Sequence, residues 1–332
     1  MSHTAPIDAF VPDSLRDLAD PSRDLPRLAK SRSTMAAIEA AVVEVPTRHR
    51  LLRGDARLAA LSPGSVHLVV TSPPYWILKE YRRADGQLGW VEDYQEFLAE
   101  LDQVWRMCHA ALVPGGRLVC VVGDVCLARR RNRGKHTVVP LHASIQEHCR
   151  EIGFDNLAPI IWSKIANAAY EVDRGAGGFL GKPYEPNAVI KNDIEYILMQ
   201  RKGGGYRKPD LSARILSLLS ETSFKRFFRQ IWTDIPGEST RDHPAPYPVA
   251  MADRLIRMFS FVGDTVLDPF NGTATTQVAA AACGRNSIGI EVDPVYFEDG
   301  LDRLRRDTGG LLSTAHVSTG EVGAGSGLPA SA

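Results

Sequence analysis

"DTVLDPFNGTATTQVAAAACGRNSIGIEVD", residues 264–293, decides how the rest of the chain is read. "DTVLDPF" and "NSIGIEVD" are short apolar runs with β-branched residues, the pattern of buried strands. Between them "ATTQVAAAAC" is rich in alanine, the best helix former, and Gly284 supplies a C-terminal stop. Strand, helix and strand at this spacing form a parallel βαβ unit. Gly272 sits in the first turn, where the chain bends sharply and can approach a ligand closely. Glu291 closes the second strand, 19 residues later. An acid about 20 residues after a glycine turn is where such a unit accepts from ribose hydroxyls.

The ligand this turn suits is not a pyrophosphate. The glycine fingerprint is incomplete, and Asp268 lies in the turn, where its charge repels phosphate. Carboxylates here fit a ligand with hydroxyls and a positive charge, such as S-adenosylmethionine (AdoMet).

Working outward, the same alternation recurs. "SVHLVVT" reads as a strand, and "DYQEFLAELDQVWRMCHAAL" as a helix with Phe97, Leu98, Leu101, Val104, Trp105 and Cys108 on one face. "RLVCVVGD", "LAPIIWSK" and "EYILMQ" read as strands; "HASIQEHCREIGF" and "PVAMADRLIRMFS" read as helices. The expectation is an open α/β sheet with helices on both faces. Ligands in such sheets bind at the carboxyl ends of the strands. "TSPPYW", "GDVCLARRR", "DPFNGTATT" and "EVDP" each follow a strand, so all four should meet at one rim.

"TSPPYW", residues 71–76, leaves its strand through two prolines. Neither proline can donate to a sheet ladder, and each restricts the residue before it. The Pro73 carbonyl is therefore aimed in a nearly fixed direction, with the Ser72 hydroxyl beside it. Two rigid acceptors suit an exocyclic –NH2 of a nucleobase, with Tyr75 offering a stacking face. A proline-rich loop that merely ends a strand is the plainer alternative.

Composition sets limits. The chain has 332 residues with 39 basic and 39 acidic side chains, so formal charge is zero and any nucleic-acid contact must rest on local patches. Five cysteines (Cys108, Cys120, Cys126, Cys149, Cys283) lie scattered in mostly apolar segments, as in a reducing compartment. None follows a proline, which sets aside a C5-cytosine mechanism using a thiolate nucleophile. No histidine or cysteine spacing points to a metal. The N-terminus lacks a secretory apolar core and no run is long enough to span a bilayer, so a soluble, cytoplasmic protein is expected.

"TSPPYW" resembles motif IV of the DNA amino-methyltransferases. "LDPFNGTATT" resembles their AdoMet motif I, "EVD" their motif II and "HPAPYPVAMADRLI" their motif X. "LRGDARLAALSPGSVHLVVTSPPY" is similar to the family's lead-in. The resemblance spans residues 50–305, with the catalytic motif before the cofactor motif, the order of the β class. It implies a class I AdoMet-dependent methyltransferase sheet, Rossmann-like and circularly permuted, with an irregular target-recognition insertion. It implies Ser72, Pro73, Pro74 and Tyr75 as the catalytic turn. For the cofactor it implies Asp55, Thr71, Asp268, Pro269, Phe270, Asn271, Gly272, Thr273 and Glu291. His243 either lies near the methionine end of AdoMet or simply starts a helix.

Serine at the first position of the tetrapeptide resembles the cytosine-N4 branch; aspartate is usual in the adenine-N6 branch. Ala274 stands where the family usually has a second glycine. That is harmless in helical backbone and strained at positive φ. An inactive DNA-binding homologue is the rival reading this departure raises.

Double-stranded DNA is the implied substrate, with the base flipped out. Candidate phosphate contacts are Arg129, Arg130, Arg131, Arg133 and Lys135 in "ARRRNRGK", and Arg201, Lys202, Arg207 and Lys208 in "RKGGGYRKP". Lys225, Arg226 and Arg229 add to them. Trp162 and Lys164 of "IIWSK" resemble a motif VIII near the flipped base, against the alternative of a core tryptophan. The expected organisation is a partly disordered N-terminal arm (1–45) with a short helix near "TMAAIEAAVV", a catalytic half (46–165), a recognition insertion (166–240), a cofactor half (241–308) and a flexible Gly/Ser/Ala tail (309–332). A separately acting restriction endonuclease is a possible partner.

Overall fold

The computed structural model describes residues 6–78, 81–127, 129–130, 132–164, 192–238, 247–310 and 314–323. The chain begins with two short helices. Asp20 caps α1 (Pro21–Leu28) by accepting from the N–H groups of Ser22 and Arg23, and Ser31 caps α2 (Arg32–Val43) by accepting from Thr34. Strands β1 (Thr47–Arg53) and β2 (Val66–Thr71) follow. Asp93 caps α3 (Tyr94–Ala111), and the six apolar residues expected on its face are all buried. Next come β3 (Leu112–Val122), a hairpin of β4 (Val125–Leu127) and β5 (Thr137–Val139), α4 (Leu141–Ile152) and β6 (Phe154–Ser163). β7 (Ile194–Lys202), α5 (Leu211–Leu216), α6 (Glu221–Phe227) and β8 (Ile231–Trp232) precede α7 (Val249–Phe259). The opening βαβ unit is β9 (Thr265–Asp268), α8 (Thr275–Ala282) and β10 (Asn286–Glu291). α9 (Pro294–Thr308) and β11 (Ala315–Glu321) end the described chain.

Nine strands form one sheet in the order β11-β1-β10-β9-β2-β3-β7-β6-β8. Neighbours are parallel except β7, which is antiparallel to both β3 and β6. β3 shows why its sequence is almost continuously apolar. Leu118, Cys120 and Val122 pack with α3 and α4 on one face; Val119 and Val121 pack with α7 on the other. From β9 the chain builds outward through β10, and from β2 it builds the opposite way through β3. The switch point therefore lies between β9 and β2, and a cleft opens at their carboxyl ends.

Three boundaries move. The N-terminal arm is folded from residue 6: Val11, Leu15, Met35, Ile38 and Val42 share a core with Ile215, Leu216 and Val262. Part of the span 166–240 belongs to the sheet: β7 lies between β3 and β6, and β8 forms the sheet edge. Residues 165–191, the heart of that insertion, lie outside the described residues. The expected tail contains β11, which pairs in parallel with β1 along its length. Val317 turns inward against Leu51, Phe297 and Leu301, so a strand pattern was hidden in small-residue composition.

Candidate active site and cofactor cleft

The rim expected from strand ends is real. Ser72 and Pro74 line a cleft of about 580 Å³, including its open mouth, together with Asp55, Phe270, Gly272 and Glu291. Pro269 lines it too. Thr71, Asp268, Asn271 and Thr273 do not. His243 lies outside the described residues.

The turn around Gly272 is built by Glu291. Glu291 Oε2 accepts from Gly272 N at 2.7 Å and Oε1 accepts from Asp293 N at 2.9 Å. Gly272 has φ +49, the left-handed region that glycine enters freely. Burial pushes the Glu291 carboxyl up from 4.5 to about 7, although both backbone N–H groups pull the other way. Gly86 brings another backbone close: a Cβ there would stand 2.7 Å from Asp55 Oδ2. Asp55 is fixed by Arg57, whose Nε lies 2.9 Å from Oδ2.

Asp268 has a different place from the one expected. It is 1% exposed. Oδ1 accepts from Thr71 Oγ1 (2.6 Å) and Phe270 N (3.1 Å). Oδ2 accepts from Thr276 Oγ1 (2.6 Å) and Tyr247 OH (3.2 Å). Burial raises its pKa while these four donors hold it down. Asp268 and Thr71 therefore join strand ends beneath the cleft and do not form part of its wall. Ala274 adopts φ +62 and ψ +30, the left-handed case. That costs about 1–2 kcal/mol, against roughly 0.8 kcal/mol gained by burying its methyl. α9 makes room with Gly300, where a Cβ would come 2.9 Å from the Gly272 carbonyl.

After the Ser72–Tyr75 turn, Trp76 takes φ +46 and its indole N–H donates to Val91 O at 2.9 Å, which locks the exit from the two prolines. The Tyr75 ring is buried at 4% exposure, so the stacking face expected there is closed. Its hydroxyl accepts from Ser72 Oγ at 3.2 Å and donates to Glu195 Oε2 at 3.2 Å. Lys164 donates to Glu195 Oε1 at 2.6 Å. Trp162 is a core residue, fully buried, with its indole N–H on Ile235 O at 2.8 Å.

The basic clusters part company. Arg129, Arg130, Arg133 and Lys135 sit between β4 and β5, just beyond the end of β3 and so at the active rim; Arg131 lies outside the described residues. Arg201 pairs with Arg117 in the β3–β7 register, at the opposite end of the sheet. There Lys202 Nζ donates to the carbonyls of His109 (2.7 Å) and Leu112 (2.8 Å), closing the end of α3. Arg207 holds Asp264, which precedes β9, at 2.6 Å. Arg201, Lys202 and Arg207, with Lys208 next in sequence, thus lie towards the opposite end of the strands from Ser72. Lys225 pairs with Glu221 at 3.1 Å, and Arg226 pairs with Asp234.

Sequence reading missed Glu195 and the loop bearing Tyr81, Gly86 and Leu88, which supplies one wall of the cleft. Glu195 had a signal: an acid in a strand of apolar residues is rarely buried without a task. The loop had none, since its cleft-facing residues follow no strand or helix period.

An open sheet with β7 antiparallel, a switch-point cleft and an SPP turn beside it define a class I methyltransferase fold. The sequence profile of the DNA methylase family (N6/N4 type) matches residues 66–301, and the chain belongs to that family. TTHA0409 of Thermus thermophilus, crystallised with S-adenosyl-L-methionine, is 52% identical. The match covers 82% of this chain and 99% of that one, with a TM-score of 0.65. Type II methyltransferase M.MjaI of Methanocaldococcus jannaschii is 36% identical over 282 residues, 76% of this chain and 89% of the relative. DNA adenine methyltransferase YhdJ of Escherichia coli is 29% identical over 269 residues, 76% of this chain and 82% of the relative.

Proposed function

We propose that the protein transfers a methyl group from AdoMet to the N4 amine of a flipped cytosine in duplex DNA. The observation that carries this is the serine–proline pair at the end of β2, opening onto the cleft that Glu291 closes.

The residues fit AdoMet. Among the described residues the cleft wall carries two carboxylates, Asp55 and Glu291, and no lysine or arginine. Such a wall accepts from ribose hydroxyls and tolerates a cation, and it repels phosphate. Ile290, Leu88 and Phe270 give apolar faces for a flat base. Glu291 would hold the ribose and Asp55 the adenine amine. When bound, the group supplies an electrophilic methyl on sulfonium sulfur.

The chain's own work is positioning. The Pro73 carbonyl and Ser72 oxygen accept from the target amine and pull its lone pair out of conjugation. The prolines hold both acceptors in place before the substrate arrives, so little reorganisation is left for the reaction itself. A thiolate nucleophile is disfavoured: burial pushes the thiols of Cys108, Cys120, Cys149 and Cys283 up, and burial followed by the Asp124 charge raises Cys126. The basic β4–β5 hairpin supplies phosphate contacts beside the flipped base.

Serine as the first residue of the tetrapeptide supports cytosine. The kinship with an adenine methyltransferase supports the second reading, transfer to adenine N6. Expression in a bacterial host without DNA methyltransferases, followed by modification-sensitive sequencing, tests the choice. An N4-methylcytosine signature at one recurring sequence is expected, and an N6-methyladenine signature overturns it.

A further inference from the structure

Three buried or half-buried groups behind the Ser72–Pro74 turn do not line the cleft: Tyr75 OH, Glu195 and Lys164. They form one chain with a direction. Ser72 Oγ donates to Tyr75 OH at 3.2 Å, Tyr75 OH donates to Glu195 Oε2 at 3.2 Å, and Lys164 Nζ donates to Glu195 Oε1 at 2.6 Å. Glu195 is 7% exposed and comes from β7, the antiparallel strand, far from Ser72 in sequence.

A serine hydroxyl has one proton and two lone pairs. Pointed at an amine, that proton meets the amine's own protons and repels them. Pointed away, it leaves the lone pairs to accept. Which way it points is decided at the far end of the chain. A carboxylate can only accept, so Tyr75 must donate to Glu195 and must then accept from Ser72. The second acceptor near Tyr75 OH, the Val121 carbonyl, is longer at 3.5 Å. Burial and the Glu195 charge push the Tyr75 phenol well up, so it keeps the proton it donates. Lys164 fixes the other carboxylate oxygen. Gly123 leaves room for this contact: a Cβ there would lie 3.3 Å from Glu195 Cγ and 3.5 Å from the Tyr75 ring.

We propose that Glu195, anchored by Lys164, is a positioning residue that orients the Ser72 hydroxyl as an acceptor for the target amine through Tyr75. The inference rests on Ser72 facing a reacting amine, of either base.

The test is a double-mutant cycle on single-turnover methyl transfer to DNA with saturating AdoMet. Glu195→Gln puts an amide where Tyr75 can be made to accept, which lets the chain reverse. The rate should fall about 100-fold, the scale of losing one oriented hydrogen bond to the reacting group. AdoMet Kd by calorimetry should stay within about twofold, since no part of the cofactor cleft is altered. In a Ser72→Ala background the same change should cost nothing more, because no serine is left to orient. Losses that multiply in the double variant overturn the proposal, as does a Glu195→Gln protein with the wild-type rate. Tyr75→Phe, alone and with Ser72→Ala, reads the same link if the glutamine variant fails to fold. The cytosine assignment fails by a different readout, the identity of the methylated base in wild-type digests; the coupling is measured on whichever base is methylated.

Discussion

Thr71 ends β2 and Asp268 ends β9, and a 2.6 Å hydrogen bond from Thr71 Oγ1 to Asp268 Oδ1 ties the two strand ends together across the switch in the sheet. The Ser72–Tyr75 turn follows the first residue and the Gly272 turn follows the second. Their relative placement therefore depends on one buried carboxylate and the donors around it.

Asp268→Ala removes the acceptor of Thr71, Thr276 and Tyr247 together. Leaving buried hydroxyls unmatched costs on the order of 1–3 kcal/mol. The variant should lose about 2 kcal/mol in urea unfolding, and AdoMet affinity should fall with it. Unchanged stability would show that Asp268 is not the tie between the strands.

Glu291 gives a pH dependence with a defined sign. Its folded value of about 7 lies above the unfolded 4.5, so the folded protein binds the proton more tightly. Its contribution to stability is fully present below about 4.5, falls as pH rises, and is lost above about 7. Cofactor binding runs the other way, because a ribose hydroxyl needs the ionised carboxylate as acceptor. AdoMet Kd should tighten about fivefold from roughly pH 6 to pH 7, by about another twofold towards pH 8, and level off beyond. Glu291→Gln should give a flat, weaker profile. Calorimetry across this range reads both; a flat wild-type profile would contradict the assignment.

The two basic clusters should separate in binding assays. Replacing Arg130, Arg133 and Lys135 by alanine should weaken DNA binding. Each lost phosphate contact should lower the slope of log K against log salt by about 0.9. Arg207→Ala should leave DNA affinity alone and cost about 2 kcal/mol of stability, since it removes the cation from the buried Asp264 and leaves it the Phe261 N–H and the more distant His67. Filter binding over a salt series and urea unfolding separate the two outcomes. DNA affinity lost on Arg207→Ala would put the recognition surface on the opposite edge.

Much of this was legible in the sequence. The βαβ unit, the α3 face and the SPP turn are local patterns, and strand ends predict a shared rim. Glu291 was found because its distance from Gly272 is fixed by a helix of set length. What was illegible depends on contacts made across the sheet. "RKGGGYRKP" reads as a nucleic-acid patch until β7 proves antiparallel, which sends Arg201 to the far edge. Asp268 reads as a ligand acceptor until Thr71, Thr276 and Tyr247 claim both its oxygens. The β11 strand was hidden by composition: Val317 is the apolar residue that packs inward, among glycines and serines that read as a linker.

The central claim is the base. Incubating the protein with unmethylated DNA and AdoMet, digesting to nucleosides and identifying the product by mass spectrometry tests it directly. The account predicts N4-methyldeoxycytidine. N6-methyldeoxyadenosine alone would contradict it.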